Sequence, residues 1–311
     1  MTNRNWFVLG FSLLSAAWLP IAHARSFAIP PAGDAVVGQV EFTTSRFEDT
    51  LLDMGRTGNV GYQEIRLANF GVDPWLPGAG RQVRIPNQYI LPQGPHSGIT
   101  VNVPEMRVYY YRGDSSVQTY PISIGRQDWA TPKGGTRIIA KKLNPSWTPP
   151  PAIRAEHAED GDILPAVVPP GPDNPLGQYA LALGIHGYLL HGTDKPLGIG
   201  MRVTHGCMRM FPEDIENLYN QVSVGTPVAI TNQPHKVGWL NGDLYIEVHP
   251  HLLEDHHTFG DRFNSIADLI VKAAQGRSVE IDWNAVRTAV SAFDGVPTKV
   301  GRQAGSAGPS I

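Results

Sequence analysis

The chain has 311 residues, enough for two domains or for one large domain with appendages, and its formal net charge is −3. Hydrophobic residues make up 41% of it and charged residues 17%, which excludes a disordered chain and a coiled coil. The small net charge and the lack of a long basic run argue against nucleic acid as a partner. Its 33 glycines and 27 prolines follow no period, which excludes collagen and favours many short strands joined by turns.

The N-terminus has the pattern of an export signal. Arg4 supplies positive charge, an apolar stretch covers residues 6–19, and Ala22-His23-Ala24 has the small-x-small spacing that signal peptidase reads. We therefore predict a signal peptide over residues 1–24, cleaved after Ala24. An uncleaved membrane anchor is the alternative, but the apolar stretch is shorter than the ~20 residues that span a bilayer.

Two segments precede the first long β-rich region. Residues 25–40 are rich in Pro, Ala and Gly, and this composition predicts a mobile leader. Residues 41–86 predict a small α+β unit in the order strand, helix, helix, strand, with its elements at 38–43, 47–54, 62–69 and 82–85. A unit of this size has a marginal core, so we expect it to lean on the residues that follow.

Residues 97–232 form the β-rich region. Their alternation of apolar and polar positions is typical of half-buried strands and predicts an antiparallel β-sandwich rather than βαβ units. A proline-rich excursion over residues 144–177, which contains Trp147, interrupts the pattern. A segment of that length is interpreted either as a lid or substrate wall or as a surface insertion.

The remaining residues predict a C-terminal extension over 233–300 and a disordered tail over 301–311. The extension contains a hairpin turned at Asn241-Gly242 and two amphipathic helices at 262–274 and 283–293. Four of its histidines resemble a metal-binding tract but are interpreted as solvent-exposed: His249, His251, His256 and His257.

The residues that carry chemistry lie between positions 186 and 209. Cys207 is the single cysteine, so it has no partner for an internal disulfide. A thiol becomes a good nucleophile when a base activates it, and both His191 and His205 are close in sequence. The apolar residues before His191 predict a strand, and a glycine-rich crossover returns the chain to Cys207. Gly206 permits a sharp turn, so the backbone N–H groups of Gly206 and Cys207 are candidate donors to an oxyanion.

Other interpretations of this cluster stay open. Cys207 is an inert buried thiol, or it links two chains. Alternatively, three histidines and the cysteine bind zinc, which takes nitrogen and sulfur ligands, although their spacing fits no common zinc pattern. This candidate zinc set is His186, His191, His205 and Cys207.

The pair His191-Gly192, followed by Thr204-His205-Gly206-Cys207-Met208-Arg209, resembles the signature of the L,D-transpeptidase (YkuD-type) catalytic domain of bacterial cell-wall enzymes. The loop Thr131-Pro132-Lys133-Gly134 is also similar, and the likeness covers residues 99–232. Thr204 stands where many members carry Ser, which keeps a hydroxyl group. Residues 41–86 resemble a LysM-type peptidoglycan-binding module. The whole order of segments resembles the periplasmic L,D-transpeptidases of Gram-negative bacteria.

The resemblance implies a fold and a set of roles. The fold is mainly β: an L,D-transpeptidase-type β-sandwich with a few short helices, preceded by a small α+β LysM-like module and followed by a hairpin-plus-helix extension. Cys207 is implied to be the nucleophile, and His191 the general base, with its second ring nitrogen held by a backbone carbonyl. Five residues are implied to contact substrate: Trp147, Gly192, Thr204, His205 and Arg209.

The resemblance also implies a reaction in the periplasm without a metal or a cofactor. The thiol attacks the L-centre carbonyl of the third residue of a tetrapeptide stem, releases D-alanine and holds a thioester. An amine then takes the acyl group, either from a second stem, giving a cross-link between third residues, or from a lysine of an outer-membrane lipoprotein. Two alternatives remain. In one, water is the acceptor, which makes the chain an L,D-carboxypeptidase or a hydrolase that releases wall-bound lipoprotein. In the other, the chain is a non-catalytic peptidoglycan-binding protein.

Overall fold

A computed structural model of the protein describes residues 24–113, 115–255 and 260–305, and the fold within these ranges is mainly β, as the sequence predicted. The helices are α1 Leu51–Gly58, α2 Tyr62–Ala68, α3 Pro151–Glu159, α4 Pro212–Gln221, α5 Arg262–Ala273 and α6 Trp283–Ala292. The strands are β1 Arg25–Ala28, β2 Val36–Gly38, β3 Glu41–Thr44, β4 Gln82–Ile85, β5 Gln88–Ile90, β6 Gly98–Asn102, β7 Arg107–Arg112, β8 Ser116–Gly125, β9 Gly134–Leu143, β10 Tyr179–Leu183, β11 Leu189–His191, β12 Arg202–Thr204, β13 Met208–Met210, β14 Pro227–Thr231, β15 His235–Leu240, β16 Asp243–Val248, β17 Val279–Ile281 and β18 Thr298–Gln303. Three single turns of 3₁₀ helix lie at Gln127–Trp129, Pro196–Gly198 and Leu253–Asp255. Among the helices described, none has the length and apolar character that crossing a membrane requires.

The largest sheet closes on itself and encloses the main core. Its strands follow the order β8-β13-β11-β10-β9-β14-β6-β7, and β7 pairs again with β8. β8 and β9 are 10 residues each, and each pairs with different neighbours along its two halves. These two long strands therefore connect the two layers, and the apolar faces of both layers pack against α4.

This sheet is mixed rather than antiparallel. Three of its pairs are parallel: β11 with β13, β6 with β14, and β8 with β12. The prediction of a purely antiparallel sandwich is wrong on this point. Parallel neighbours need long crossover connections, and here loops and α4 supply them in place of the helices of βαβ units.

The predicted mobile leader over residues 25–40 is instead built into the fold. β1 pairs with β8 over four positions, and β2 pairs with β5. The Phe27 ring packs on the Tyr89 ring at a centroid distance of 6.1 Å. Strand pairing and apolar burial thus outweigh the local Pro, Ala and Gly composition. Residues 1–23 of the predicted signal peptide lie outside the described residues.

The small unit has the predicted order of strand, helix, helix and strand. β3 and β4 pair antiparallel, and α1 and α2 pack between them over a core that includes Leu51, Ile65 and Val83. α1 begins later than predicted because Thr50 and Asp53 form a capping box that starts the helix at Leu51. The likeness to LysM stays a prediction.

The excursion over residues 144–177 contains a helix that the sequence analysis missed. α3 starts at Pro151, and proline suits the first helical position because its missing N–H has no helical partner there. The isolated bridge between Trp147 and Val168 joins the two ends of the excursion. The surrounding prolines hid the alanine-rich helical stretch from a pattern analysis.

The C-terminal extension has the predicted hairpin and both predicted helices. Asn241 and Gly242 have φ values of 52° and 81°, as the tight turn between β15 and β16 requires. Two further strands, β17 and β18, complete a four-stranded sheet. The predicted disordered tail therefore begins inside a strand, since residues 301–303 pair within this sheet.

The histidines of the extension are not simply exposed, which corrects a prediction. His249 is 5% exposed, and its Nε2 lies 2.7 Å from Oε1 of the buried Glu247. His251 Nε2 lies 2.9 Å from His235 Nε2. His256 and His257 lie outside the described residues. A buried carboxylate needs a partner, which is why His249 turns inward.

Buried ion pairs join the central unit to the units on either side of it. On the N-terminal side, Arg107 of β7 is 0% exposed and bonds both oxygens of Glu64 of α2, at 2.8 and 2.9 Å. On the C-terminal side, the Lys236 ammonium lies 2.9 Å from Glu105 and 2.8 Å from Glu247. Buried charges tolerate little displacement of their partners, so these pairs fix the orientation of the units.

We expect Arg107→Leu to lower the free energy of unfolding by about 3–5 kcal/mol, because it leaves the Glu64 carboxylate buried without its partner. The double variant Arg107→Leu/Glu64→Leu should lose much less, since no unpaired charge remains. Urea denaturation measures both. The exposed pair of Arg46 and Asp49 offers a control, and Arg46→Ala should leave the midpoint of urea denaturation unchanged. A single Arg107 variant as stable as the parent would contradict the role of the pair.

Candidate active site

The parallel pair of β11 and β13 positions the residues that carry chemistry. Leu190 pairs with Met208, and His191 pairs with Arg209. Leu190 and Met208 are 0% exposed and belong to the core. Side chains alternate along a strand, so His191 and Arg209 point to the opposite face, and Cys207, two residues before Arg209, shares that face. The register therefore brings His191, Cys207 and Arg209 to one side of the sheet.

Cys207 is half-buried at the end of this strand pair. Its Sγ–H donates to the Gly187 carbonyl at 3.5 Å, so the turn between β10 and β11 forms one wall of the thiol site. Burial raises the pKa of the Cys207 thiol above its ordinary value, although the Leu189 backbone and the Arg209 charge act in the opposite direction. The resting residue is therefore a thiol at neutral pH.

His191 is 3% exposed, and its Nδ1 lies 2.7 Å from the Gly192 carbonyl oxygen. A proton on Nδ1 satisfies that contact and leaves Nε2 unprotonated, as a base requires. Burial first, and then the Arg209 charge, lower the pKa of His191 to about 3, against the opposing effect of the Gly192 and Leu176 backbone. The imidazole is therefore neutral and able to accept a proton across the physiological range.

A hydroxyl holds the turn that precedes Cys207. Thr204 Oγ1 donates to the Cys207 carbonyl at 2.6 Å and accepts from the Gly206 N–H at 3.1 Å. Gly206 has a φ of +97°, and a Cβ there would lie 2.7 Å from the Tyr188 ring, so only glycine fits. The Gly206 N–H, predicted to face an oxyanion, is instead held by Thr204. Thr204 itself, predicted to contact substrate, is 1% exposed and acts on the turn.

A second hydroxyl, which the sequence analysis quoted only as part of a loop, braces the same turn. Thr131 Oγ1 donates to the Gly206 carbonyl at 2.9 Å and accepts from the Gly125 N–H at 3.0 Å. Thr131 is 4% exposed, so these bonds are shielded from water. The Thr131-Pro132-Lys133-Gly134 loop thus links the end of β8 to the backbone beside Cys207.

Arg209 places a charge next to the thiol and the imidazole. Burial lowers its pKa, while Asp194 and Cys207 act in the opposite direction. Among the described residues, its buried Nε has no hydrogen-bond partner. A half-buried guanidinium with an unused donor is suited to bind an anionic group.

The His205 ring contacts the excursion. Its Nε2 lies 3.1 Å from Glu156 Oε2 of α3, and the Trp129 ring meets its ring edge-on at 5.0 Å. Arg126 bonds both oxygens of the same Glu156 carboxylate, at 2.7 and 3.0 Å. The sequence analysis missed Glu156, Arg126 and Trp129, because they lie 30 to 80 residues from the motif and carry no pattern of their own.

Trp147 and Gly192 were also predicted to contact substrate, and the structure gives them other contacts. The Trp147 backbone pairs with Val168 at 2.9 and 2.8 Å, and within the described ranges no hydrogen bond joins Trp147 to Cys207 or His191. Gly192 supplies the carbonyl that holds His191, and it also lines a cavity of about 330 Å³ together with Thr193 and Tyr179. Gly192 therefore lies next to open space.

The candidate zinc set does not come together. His186 is exposed and His205 is bound to Glu156. In the part of the chain that the structure describes, only Glu105, Glu247 and His249 bring three metal-ligating groups within reach of one ion. The Lys236 ammonium already lies between these two carboxylates, so a cation is unfavourable there.

We expect Thr204→Val to lower the free energy of unfolding by about 1–3 kcal/mol, because it leaves the Gly206 N–H without its acceptor in a buried turn. The same change should alter the rate at which iodoacetamide alkylates Cys207. Thr204→Ser keeps both hydrogen bonds and should retain both properties. Urea denaturation and the mass of the alkylated protein measure the two. Equal losses in the Val and Ser variants would show that the methyl group, not the hydroxyl, is what matters.

We expect the alkylation rate of Cys207 to increase mainly above the ordinary cysteine pKa of about 8.5, because burial raises the pKa of this thiol. No step near pH 6.5 is expected, since the pKa of His191 is lowered to about 3 and the imidazole stays neutral throughout that range. Alkylation followed by mass spectrometry between pH 5 and 10 gives the profile. A rate that is already constant below pH 7 would mean a preformed thiolate and contradict this expectation.

Comparison with known proteins identifies the family. A family model described as the L,D-transpeptidase catalytic domain matches residues 96–230. The chain is 44% identical over 251 residues to the probable L,D-transpeptidase YcfS of Escherichia coli K12, covering 78% of each chain. It is 38% identical over 296 residues to the probable L,D-transpeptidase ErfK/SrfK of the same strain, covering 93% of this chain and 94% of the relative. It is 42% identical over 254 residues to the probable L,D-transpeptidase YbiS, covering 80% and 82%. The fold and these similarities agree: the chain belongs to the L,D-transpeptidase family and is an enzyme of this class.

Proposed function

We propose that this chain is a peptidoglycan L,D-transpeptidase in which Cys207 is the nucleophile and His191 the general base. The observation that carries the proposal is the register of β11 and β13, which brings both side chains to one face of the sheet. The Gly192 carbonyl supports the assignment of His191, because it selects the tautomer with a free Nε2.

In the acylation step, Cys207 Sγ attacks the L-centre carbonyl of the third residue of a tetrapeptide stem, and His191 Nε2 takes the thiol proton. The tetrahedral intermediate collapses, the imidazolium returns the proton to the departing nitrogen, and D-alanine leaves. A thioester on Cys207 remains. Because the resting thiol and imidazole are both neutral, the proton moves as the substrate arrives rather than beforehand.

The negative charge of the intermediate needs donors. The Gly206 N–H is already used by Thr204, so the Cys207 N–H is the remaining donor of the pair that the sequence suggested. The Arg209 guanidinium adds positive charge beside it, and its charge favours the thiolate form of Cys207. Arg209 thus stabilises the charged species that form during the reaction.

In the transfer step, the amine of an acceptor attacks the thioester, gives its proton to His191 and displaces the Cys207 thiol, which is protonated again. The acceptor is a second stem or a lysine of an outer-membrane lipoprotein, and the site of action is the periplasm. The export signal pattern supports that location. Exclusion of water favours amines over hydrolysis, and α3, tied to His205 beside the thiol, is placed to provide it.

We expect Cys207→Ala to abolish, and His191→Ala to slow by about 10²–10⁴-fold, the formation of a thioester with a disaccharide-tetrapeptide. Intact-protein mass spectrometry detects the thioester and the release of D-alanine. His96→Ala is a control, because His96 stacks on Tyr111 away from the site and should leave the rate unchanged. Full activity of the Cys207→Ala protein would end the proposal.

The same experiment separates the acceptors. The protein is incubated with the donor alone, with a second stem, and with a peptide that ends in lysine. Joined products in either of the last two reactions identify the acceptor, whereas trimmed stems in all three identify water. Absence of a thioester in every reaction favours a non-catalytic wall-binding protein.

A further inference from the structure

A carboxylate of the chain itself occupies a site formed by Arg126 and His205, next to the turn that carries Cys207. Glu156 of α3 receives two hydrogen bonds from Arg126, at 2.7 and 3.0 Å, and its Oε2 also lies 3.1 Å from His205 Nε2. This is the two-point geometry by which a guanidinium recognises a carboxylate. The hydrogen bonds from Arg126, foremost among several causes, lower the pKa of Glu156 to about 2, so the group is charged at neutral pH.

The two hydrogen-bonding partners of Glu156, the Arg126 guanidinium and the His205 imidazole, adjoin the reaction centre rather than belonging to the excursion. His205 is two residues before Cys207. The Arg126 N–H donates to the Thr204 carbonyl at 3.0 Å, so the backbone of Arg126 is joined to the turn that carries the thiol. Trp129, in the same loop as Arg126, contacts the His205 ring. Arg126, Trp129 and His205 therefore form one wall at the mouth of the site.

Glu156, in contrast, belongs to the excursion. It lies on the nine-residue helix α3 of the proline-flanked excursion. The side chains of Glu156 and Arg126 are 34% and 33% exposed, whereas the structural pair of Arg107 and Glu64 is 0% and 8% exposed. Exchange of one carboxylate for another at such a half-exposed site costs little, because the Arg126 guanidinium is not left unpaired.

We propose that Arg126 and His205 form the subsite for the terminal carboxylate of the donor peptide, and that Glu156 fills this subsite until the donor displaces it. The inference rests on the proposed function, in which the donor ends in a free carboxylate one residue beyond the carbonyl that Cys207 attacks. Displacement of Glu156 releases α3 from His205.

The test compares two donors that differ in this group alone: a tetrapeptide stem with a free terminal carboxylate and the same stem with a terminal amide. Arg126→Gln should raise KM for the free acid about tenfold and leave KM for the amide unchanged, because only the acid uses the guanidinium. Arg126→Lys keeps the charge without the two-point contact. Its KM for the free acid should lie between the values of the unaltered protein and of Arg126→Gln. kcat for the free acid should change little in either variant.

Glu156→Gln should have the opposite effect, because a neutral carboxamide competes poorly for the Arg126 guanidinium. We expect KM for the free acid to decrease several-fold and KM for the amide to stay as it was. Glu159→Gln changes an exposed carboxyl on the same helix and is the matched control, expected to change neither value.

Equal changes of KM for both donors in the Arg126 and Glu156 variants would overturn the inference and leave the bridge a purely structural tie. A rise of KM for the free acid in Glu156→Gln would overturn it as well. Failure of the unaltered protein to form any thioester is a different result, which ends the proposed function itself.

Discussion

The pairing of β11 with β13 is the constraint on which the reaction centre depends. Each strand has three residues, and their parallel pairing has two paired positions, so it contributes little stability by itself. Its neighbours fix it: β10 pairs on one side and β8 on the other, both antiparallel. A shift by one residue would turn His191 into the core and Leu190 toward the thiol, because strand side chains alternate. The fully buried Leu190 and Met208 therefore set the register that the chemistry needs.

The Cys207 thiol and the His191 imidazole are both neutral in the resting centre, and this affects how readily the single cysteine oxidises. An ionised thiol in an oxidising compartment is prone to oxidation. Burial raises the pKa of Cys207 and lowers that of His191, so the proton stays on sulfur until a substrate is present. A thiol oxidises far more slowly than a thiolate. Burial thus keeps the Cys207 thiol protonated and delays its activation until a substrate binds.

The sequence alone predicted the features that depend on residues close together in the chain. The hairpin at Asn241-Gly242 and the order of the strand–helix–helix–strand unit depend on neighbours in the chain, and both have the predicted form. The sequence did not predict the features that depend on pairing between residues far apart in the chain. β1 forms a strand because it pairs with β8, and α3 lies among prolines that conceal its helical pattern. Glu156 is 49 residues from His205, and only the folded chain makes them neighbours.

The units on either side of the central sheet both act on the segment that leads to Cys207. The N–H groups of Tyr62 and Gln63, at the start of α2, donate to the carbonyls of Ile199 and Gly200 at 3.0 and 3.2 Å. From the other side, Glu254 of the C-terminal extension bonds both terminal nitrogens of Arg202 at 2.9 and 2.7 Å. Residues 199–204 are thus held by both flanking units at the point where β12 runs into the turn of Thr204. The buried pairs of Arg107 and Lys236 keep those units in one orientation, because a displacement would leave charges unpaired away from water. The two flanking units therefore hold the backbone that carries the thiol.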